Sequence, residues 1–200
     1  MPGPVTLGIP GLEMHAGDHI CAFYRGGSWD EVLVPFVQAG LATGDKCICV
    51  VGDPDSGELL TLLKPHGQAS LERHQLDIYR WDSTYLAEGR FVPARMMRFW
   101  DANVAAALDG GGYGFVRLVG EMSWAAMQAP GTDELVAYEA ELNRFLPRYP
   151  QVVLCLYDVE RFGGELVVDM LKTHPKVLLN GMLLDNPYYI EPDEFLAGAR

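Results

Sequence analysis

An apolar run that ends in a carboxylate could present that carboxylate to a metal ion. The segment from Val152 to Asp158 reads VVLCLYD, and P-loop nucleotide hydrolases hold Mg²⁺ with an Asp at the end of such a strand. Those proteins also need a phosphate loop, G-x-x-x-x-G-K-[ST], between the first strand and the first helix. At that place the chain reads YRGGSWD over residues 24–30, without Gly-Lys-Ser/Thr. The sequence therefore favours a binding or sensing module over an ATPase.

The elements that must position such residues alternate along the chain. The predicted strands are His19–Tyr24, Lys46–Val51, Leu76–Arg80, Gly114–Val119 and Val152–Tyr157. The predicted helices begin at Ser28 with a Ser28–Glu31 capping box, at Ser56, at Pro93, after an N-cap at Thr132, and at Gly164. Short strands over Val177–Leu184 and Tyr188–Ile190 complete the tail. This pattern predicts an α/β fold: a mostly parallel central sheet flanked by helices on both faces, with short antiparallel edge strands at the C-terminus.

In an open parallel sheet, ligands bind beyond the carboxyl ends of the strands. The side chains predicted at that edge are Tyr24, Arg25, Asp53, Trp81, Asp82, Glu121, Met122, Ser123, Trp124, Tyr157 and Asp158. They combine aromatic rings with carboxylates and a single Arg, which suits an apolar or cationic small molecule better than a bare phosphate. Structural alternatives remain open: Asp158 could cap a turn, Glu121 could pair with an Arg, and the two Trp side chains could pack in the core or in a lid.

Arg117 and His174 each have two interpretations, and His19 and Cys21 are possible metal ligands. Arg117 lies within a predicted strand, and a buried Arg needs a partner, so it either pairs with a carboxylate or reaches a ligand. His19 shares one strand face with Cys21, and together with His174 the two could bind a metal, although their spacing matches no standard zinc site. His174 could equally close a helix. We expect no metal and no cofactor.

Composition limits the partners. The chain has 200 residues, 49% of them hydrophobic, and a net charge of −12, which predicts one globular domain with a sizeable core and argues against direct binding to nucleic acid or anionic membranes. Its four cysteines contain no C-x-x-C and fit buried, reduced thiols. With no signal peptide and no apolar run long enough to span a membrane, we expect a cytoplasmic protein.

Seven segments in this order resemble a known family. They read HICAFY (19–24), AGLATGDKCICVVGD (39–53), RLVGEMSWA (117–125), YEAELN (138–143), LCLYD (154–158), THPKV (173–177) and NPYY (186–189). The set is similar to the MEDS domain, the sensory domain named for methanogens, methylotrophs and the dichloromethane-response regulator DcmR. The resemblance covers residues 15–196 of what we expect to be a single domain over 1–200. It implies a RecA/KaiC-like core that has lost a functional P-loop.

The resemblance further implies a sensor of small molecules, including hydrocarbon derivatives, that signals to a kinase, an anti-sigma-type protein or a transcription regulator. Because few residues lie outside the domain, we expect a separate regulatory partner. The ligand-binding roles that it suggests fall on His19, Tyr24, Arg117, Glu121, Trp124, Asp158 and His174, beside Arg25 and Trp81 from the strand ends. The alternatives are an ATPase with an aberrant phosphate loop, a self-associating interaction subunit, and a metal- or cofactor-binding sensor.

Overall fold

A computed structural model describes residues 3–52 and 55–198; the predicted edge residue Asp53 lies outside them. Its strands are β1 (Val5–Thr6), β2 (Glu13–Met14), β3 (His19–Tyr24), β4 (Lys46–Val51), β5 (Leu76–Arg80), β6 (Val116–Glu121), β7 (Gln151–Asp158), β8 (Lys176–Leu179) and β9 (Met182–Asp185). Its helices are α1 (Asp30–Thr43), α2 (Asp55–Leu62), α3 (Gly67–Glu72), α4 (Pro93–Ala105), α5 (Leu135–Phe145), α6 (Gly164–Thr173) and α7 (Pro192–Gly198). Short 3₁₀ turns and one π turn after α4 connect some of these elements.

Seven of the described strands form one sheet in the order β5-β4-β6-β7-β3-β8-β9. All neighbouring pairs are parallel except β8 with β9. Every residue of β3, β4, β6 and β7 is buried, as expected for parallel strands that are covered on both faces. The predicted fold class, with its antiparallel C-terminal edge, is confirmed.

The two faces of the sheet carry separate hydrophobic cores. One core joins the sheet to α1 and α2 through Leu33, Phe36 and Leu59. The other joins it to α4, α5 and α6, and its largest members include Trp100 and Tyr138. The chain therefore leaves β3 towards one face and leaves the adjacent strand β7 towards the other. Such a reversal opens a crevice at the carboxyl ends of the two strands.

Both predicted helix N-caps are wrong. Helix α1 begins at Asp30, and Ser28 Oγ donates to the carbonyl of Arg25 (2.8 Å) instead of capping the helix. Thr132 Oγ likewise donates to the carbonyl of Ala129 (2.7 Å), and a 3₁₀ turn precedes α5. In both places the hydroxyl binds a carbonyl three residues earlier, which is the local competition that Ser and Thr offer to a cap.

Other differences concern the ends of elements. The fourth predicted strand is shifted, because β6 starts at Val116 and extends to Glu121. Residues 188–190 form no strand: the amide of Ile190 donates to the carbonyl of Lys172 (2.9 Å), and α7 follows. Pairing between β1 and β2 was not predicted, since two-residue strands carry no periodic signal.

Candidate functional site

The carboxyl ends of β6, β7 and β3 lie side by side, and each ends in a polar residue. Tyr24 and Asp158 are register partners at the ends of β3 and β7, and Glu121 ends β6 opposite Leu156. This edge coincides with the crevice where the chain reverses direction between the two faces. The structure therefore brings together three of the predicted site residues.

Glu121 is held by donors on both carboxylate oxygens. Its Oε1 accepts hydrogen bonds from the Tyr24 hydroxyl (3.1 Å) and the Ser123 amide (2.8 Å), and its Oε2 accepts one from Ser123 Oγ (2.7 Å). Burial, followed by the charge of Glu121, raises the pKa of Tyr24 well above its usual range. Tyr24 therefore stays protonated and acts as a hydrogen-bond donor at this edge.

Asp158 binds the loop that stands where a phosphate loop would lie. Its Oδ1 accepts from the amides of Glu160 (3.0 Å) and Gly26 (3.4 Å), and its Oδ2 lies 3.3 Å from Nε of Arg161. Gly26 has a φ of 56°, a conformation that glycine adopts readily. The Gly26 amide thus faces a carboxylate of the protein, and acidic residues occupy the first turn of α1. Both features disfavour an anionic ligand here.

Beside this edge lies a cleft of about 670 Å³, bounded by α1, α6 and the turn between β8 and β9. Its lining residues are Phe23, Tyr24, Arg25, Ser28, Glu31, Val32, Val159, Phe162, Gly164, Val167, Leu171, Val177, Leu179, Asn180 and Gly181. Most are apolar, and the polar side chains are those of Tyr24, Arg25, Ser28, Glu31 and Asn180. The volume and lining are typical of small-molecule sites.

The cleft residues on α6 escaped the sequence prediction. Val167 and Leu171 read as ordinary core positions of an amphipathic helix, and no local signal separates a cleft wall from a packed face. A second hollow, of about 740 Å³, lies between loop 125–133 and the start of α6. It shares Phe162 with the cleft but contains none of the predicted site residues.

The two predicted aromatic residues differ in exposure. Trp124 is fully buried, and its ring stacks on Tyr85 with 4.9 Å between centroids and lies 4.8 Å from Phe91. Trp81 is half-buried in the turn after β5. Neither residue lines the cleft. For Trp124 the geometry corresponds to the core-packing alternative, and a ligand would reach the ring only after its neighbours moved.

Arg117 lies at the opposite end of β6 from Glu121. Its Nε donates to Oδ2 of Asp45 (2.7 Å), and its Nη1 donates to the carbonyls of Thr6 (2.9 Å) and Phe36 (3.2 Å). The guanidinium is fully buried on the α1 face. These contacts correspond to the structural role considered for Arg117. They join β6 to α1 and to strand β1.

His19 and His174 meet in a separate buried cluster on the other face of the sheet. Their ring centroids are 3.9 Å apart, and their Nε2 atoms lie 3.2 Å and 3.5 Å from Oε2 of Glu139. Cys155 is the neighbouring thiol, with Sγ 3.5 Å from Nε2 of His19. Among the described residues, the grouping of potential metal ligands contains His19, Glu139, Cys155 and His174, and not the predicted Cys21.

Burial strongly affects the titration of this cluster. Desolvation, together with the neighbouring His174, lowers the pKa of His19 to about 4. Burial by itself would raise the pKa of Glu139, but the contacts with His174 and His19 outweigh it and hold that pKa below the usual range. The sequence analysis does not single out Glu139, because a Glu within a helix usually faces water. Only the packing of α5 against the sheet turns this side chain inward.

In the part of the chain that the structure describes, none of the helices is both long and apolar enough to cross a bilayer.

Comparison with known proteins places these features in a family. The MEDS profile, described as the methanogen/methylotroph, DcmR sensory domain, matches residues 18–175. The transcriptional repressor DcmR of Methylorubrum extorquens is 29% identical over 178 residues, which cover 83% of this chain and 61% of the repressor. The chain thus spans less than two thirds of that relative.

Two solved structures share the fold. A KaiC-like protein from Pyrococcus horikoshii OT3 superposes with a TM-score of 0.62 at 12% identity, covering 88% of this chain and 79% of its own. The flagellar accessory protein FlaH from Methanocaldococcus jannaschii gives a TM-score of 0.55 at 11% identity, covering 86% and 77%. The architecture is therefore KaiC-like, and the match over residues 18–175 shows that the chain belongs to the MEDS family of sensory domains.

Proposed function

We propose that this domain senses a small apolar or cationic molecule in the cytoplasm and passes the signal to a regulatory protein, without catalysing a reaction. The observation that carries the proposal is the mainly apolar cleft of about 670 Å³ at the carboxyl edge of β3. The chain belongs to the MEDS family and is similar to a transcriptional repressor, and both findings support a regulatory role.

The surroundings of the cleft favour this class of ligand over a nucleotide. The Gly26 amide faces Asp158, and Glu31 stands among the lining residues. Arg25 is exposed, and the lining contains no Lys. Nucleotide phosphates need free backbone amides and a positive charge, as the P-loop provides. A hydrocarbon derivative or an alkylammonium ion would instead contact Phe162, Val167 and Leu171.

The turn between β8 and β9 offers a route for the signal. Asn180 and Gly181, at the turn, line the cleft. On the adjoining edge strand β9, Met182 and Leu184 are 54% and 47% exposed. A ligand that binds one arrangement of this hairpin more tightly would shift its population. We propose that the regulatory partner contacts the apolar side chains of β9, so that occupancy of the cleft alters partner binding.

The test is calorimetric titration with three probes: tetramethylammonium, 1-butanol and dichloromethane. We expect saturable binding of at least one probe. Val167→Trp fills the cleft and should weaken that binding on the order of tenfold or more, which corresponds to about 1.4 kcal/mol. Val168→Trp is the matched control, because Val168 is the next residue of α6, is 51% exposed and does not line the cleft. Equal affinity in the two variants would remove the cleft from the proposal.

The same preparation tests the rival nucleotide function. The observation that favours it is the position of Asp158 and Glu121 at strand ends of a KaiC-like fold. We expect no turnover on incubation with ATP and Mg²⁺. Turnover that Glu121→Gln abolishes would replace the sensing proposal with an ATPase.

A further inference from the structure

Four potential metal ligands converge in the buried cluster between the sheet and α5. They are Nε2 of His19, Nε2 of His174, Sγ of Cys155 and one oxygen of Glu139, and all lie within 4.8 Å of one another. The four side chains are at most 1% exposed, and none of them lines the cleft.

Four of the six distances between these atoms are those of a tetrahedral site. Zinc–ligand bonds of about 2.0–2.3 Å place the corners of a tetrahedron about 3.3–3.8 Å apart. Oε2 of Glu139 lies 3.2 Å and 3.5 Å from the two Nε2 atoms and 3.6 Å from Sγ of Cys155. Sγ of Cys155 lies 3.5 Å from Nε2 of His19. The two remaining distances, from Nε2 of His174 to Nε2 of His19 and to Sγ of Cys155, are at most 4.8 Å, so a cation at the centre would draw those atoms together.

Hydrogen bonds outside the cluster orient both imidazoles. Nδ1 of His174 lies 2.8 Å from the carbonyl of Met170, which can only accept, so Nδ1 carries the proton. Nδ1 of His19 lies 3.1 Å from Oδ1 of Asn143, whose amide nitrogen donates to the carbonyl of Thr173 (2.7 Å). Both neutral rings thus aim an Nε2 lone pair at the centre. Metal-binding histidines are held in this way by their other nitrogen.

Nε2 of His174 lacks a hydrogen-bond partner among the described residues, although it is buried. The second carboxylate oxygen of Glu139 is already used, because Oε1 accepts a hydrogen bond from the Tyr157 hydroxyl (2.7 Å). Oε2 therefore faces two nitrogen lone pairs. A buried contact of this kind is unfavourable unless a proton or a cation lies between the atoms.

A divalent cation would leave the buried cluster without net charge. Two neutral imidazoles, a carboxylate and a thiolate around M²⁺ give a net charge of zero in a site without water. A cluster with one protonated histidine, the carboxylate and a protonated thiol is also neutral. The set of donor atoms and Nε2 of His174, unpartnered in the part of the chain that the structure describes, therefore favour the cation, rather than charge. On binding, the Cys155 thiol loses its proton to solvent as the sulfur–metal bond forms, with no change of oxidation state.

We propose that His19, Glu139, Cys155 and His174 form a closed tetrahedral site for Zn²⁺ or a similar divalent transition metal. Nitrogen, sulfur and carboxylate donors in this geometry fit zinc. Four protein ligands leave no position for a substrate, so the site is structural. It joins β3, α5, β7 and the end of α6, and it is independent of the ligand-sensing proposal.

The first test is the metal content of the untagged protein, expressed with added Zn²⁺ and also refolded from denaturant with Zn²⁺. We expect one tightly held Zn²⁺ per chain after dialysis, and a lower melting temperature once a chelator removes it. Refolding is included because the site is closed to solvent. Folded protein that holds no zinc by either route would overturn the proposal and indicate a hydrogen-bonded cluster with one protonated histidine.

Cobalt substitution tests the ligands themselves. The Co²⁺ form should show visible d–d bands of tetrahedral type and a thiolate-to-cobalt charge-transfer band. Cys155→Ser should abolish the charge-transfer band, and His174→Ala should reduce metal retention. Cys49→Ser is the matched control, since Cys49 is an equally buried thiol in the core on the other face. A charge-transfer band that survives Cys155→Ser in a folded protein contradicts the assignment.

Discussion

The hydroxyl of Tyr24 donates a 3.1 Å hydrogen bond to Oε1 of Glu121 across the end of the intervening strand β7. Tyr24 lines the cleft, whereas Glu121 binds Ser123 at the start of the following 3₁₀ turn. One buried hydrogen bond thus links the cleft wall to the chain beyond β6, and Asp158 anchors the neighbouring Gly26 turn.

Removing that link should reduce stability. Tyr24→Phe deletes the donor and leaves Oε1 of Glu121 with fewer partners in a buried position. We expect the free energy of unfolding to fall by about 1–3 kcal/mol, measured by urea denaturation. Tyr188→Phe is the control, because Tyr188 is 69% exposed and should change stability by less than about 0.5 kcal/mol. Equal losses in the two variants would show that the hydrogen bond contributes nothing specific.

Asp45 should be essential to the fold because it neutralises Arg117. The Arg117 side chain is fully buried and that of Asp45 is 11% exposed. Asp45→Ala leaves the guanidinium without its carboxylate, and we expect a loss of about 3–5 kcal/mol in unfolding free energy. Asp185→Ala breaks a 2.8 Å pair with Lys176 in which Asp185 is 92% exposed, and it should change stability far less because solvent screens the pair. Similar costs for the two variants would argue against this role of Asp45.

Two glycines in helices should respond in opposite directions to alanine. A Cβ at Gly40 would lie 2.6 Å from Cδ of Arg117 and 2.7 Å from Sγ of Cys47, so Gly40→Ala should destabilise by about 1–3 kcal/mol through overpacking. A Cβ at Gly57 meets nothing within 4 Å, and Gly57→Ala in α2 should stabilise by about 0.4–1 kcal/mol. Thermal melts of the two variants measure the difference. A stabilised Gly40→Ala variant would contradict the close contact with Arg117.

The thiols should be unreactive in the folded protein. Burial raises the pKa of Cys47 to about 12 and raises that of Cys49 well above its usual range. The thiolate is the reactive form, and the thiols of an unfolded chain have a pKa of about 8.5. Raising the pH from 7 to about 9 should therefore speed labelling of the unfolded chain. The same change should hardly affect the labelling rate of the native protein. A thiol-specific chromogenic reagent should therefore report four thiols only after unfolding. Rapid labelling of Cys47 or Cys49 at neutral pH would contradict the buried placement.

The strands and most helices were predictable from local pattern. The predicted limits of His19–Tyr24, Lys46–Val51, Leu76–Arg80 and Gly164–Thr173 agree with the structure, because buried parallel strands are continuous apolar runs and Pro and Gly interrupt them. The caps at Ser28 and Thr132 were wrong, since a hydroxyl binds either an amide ahead of it or a carbonyl behind it, and the local sequence does not decide between them.

The sequence by itself determined the α/β fold, the lack of a phosphate loop and the collection of Tyr24, Glu121 and Asp158 at one sheet edge, because hydrophobic periodicity and strand ends are local properties. Only the tertiary structure decided that Arg117 pairs with Asp45, that Trp124 packs in the core, and that the two histidines meet Glu139. Cys155 and His19 are 136 residues apart in the chain. Contacts at that distance depend on strand order and on how each helix turns against the sheet, which no local spacing encodes.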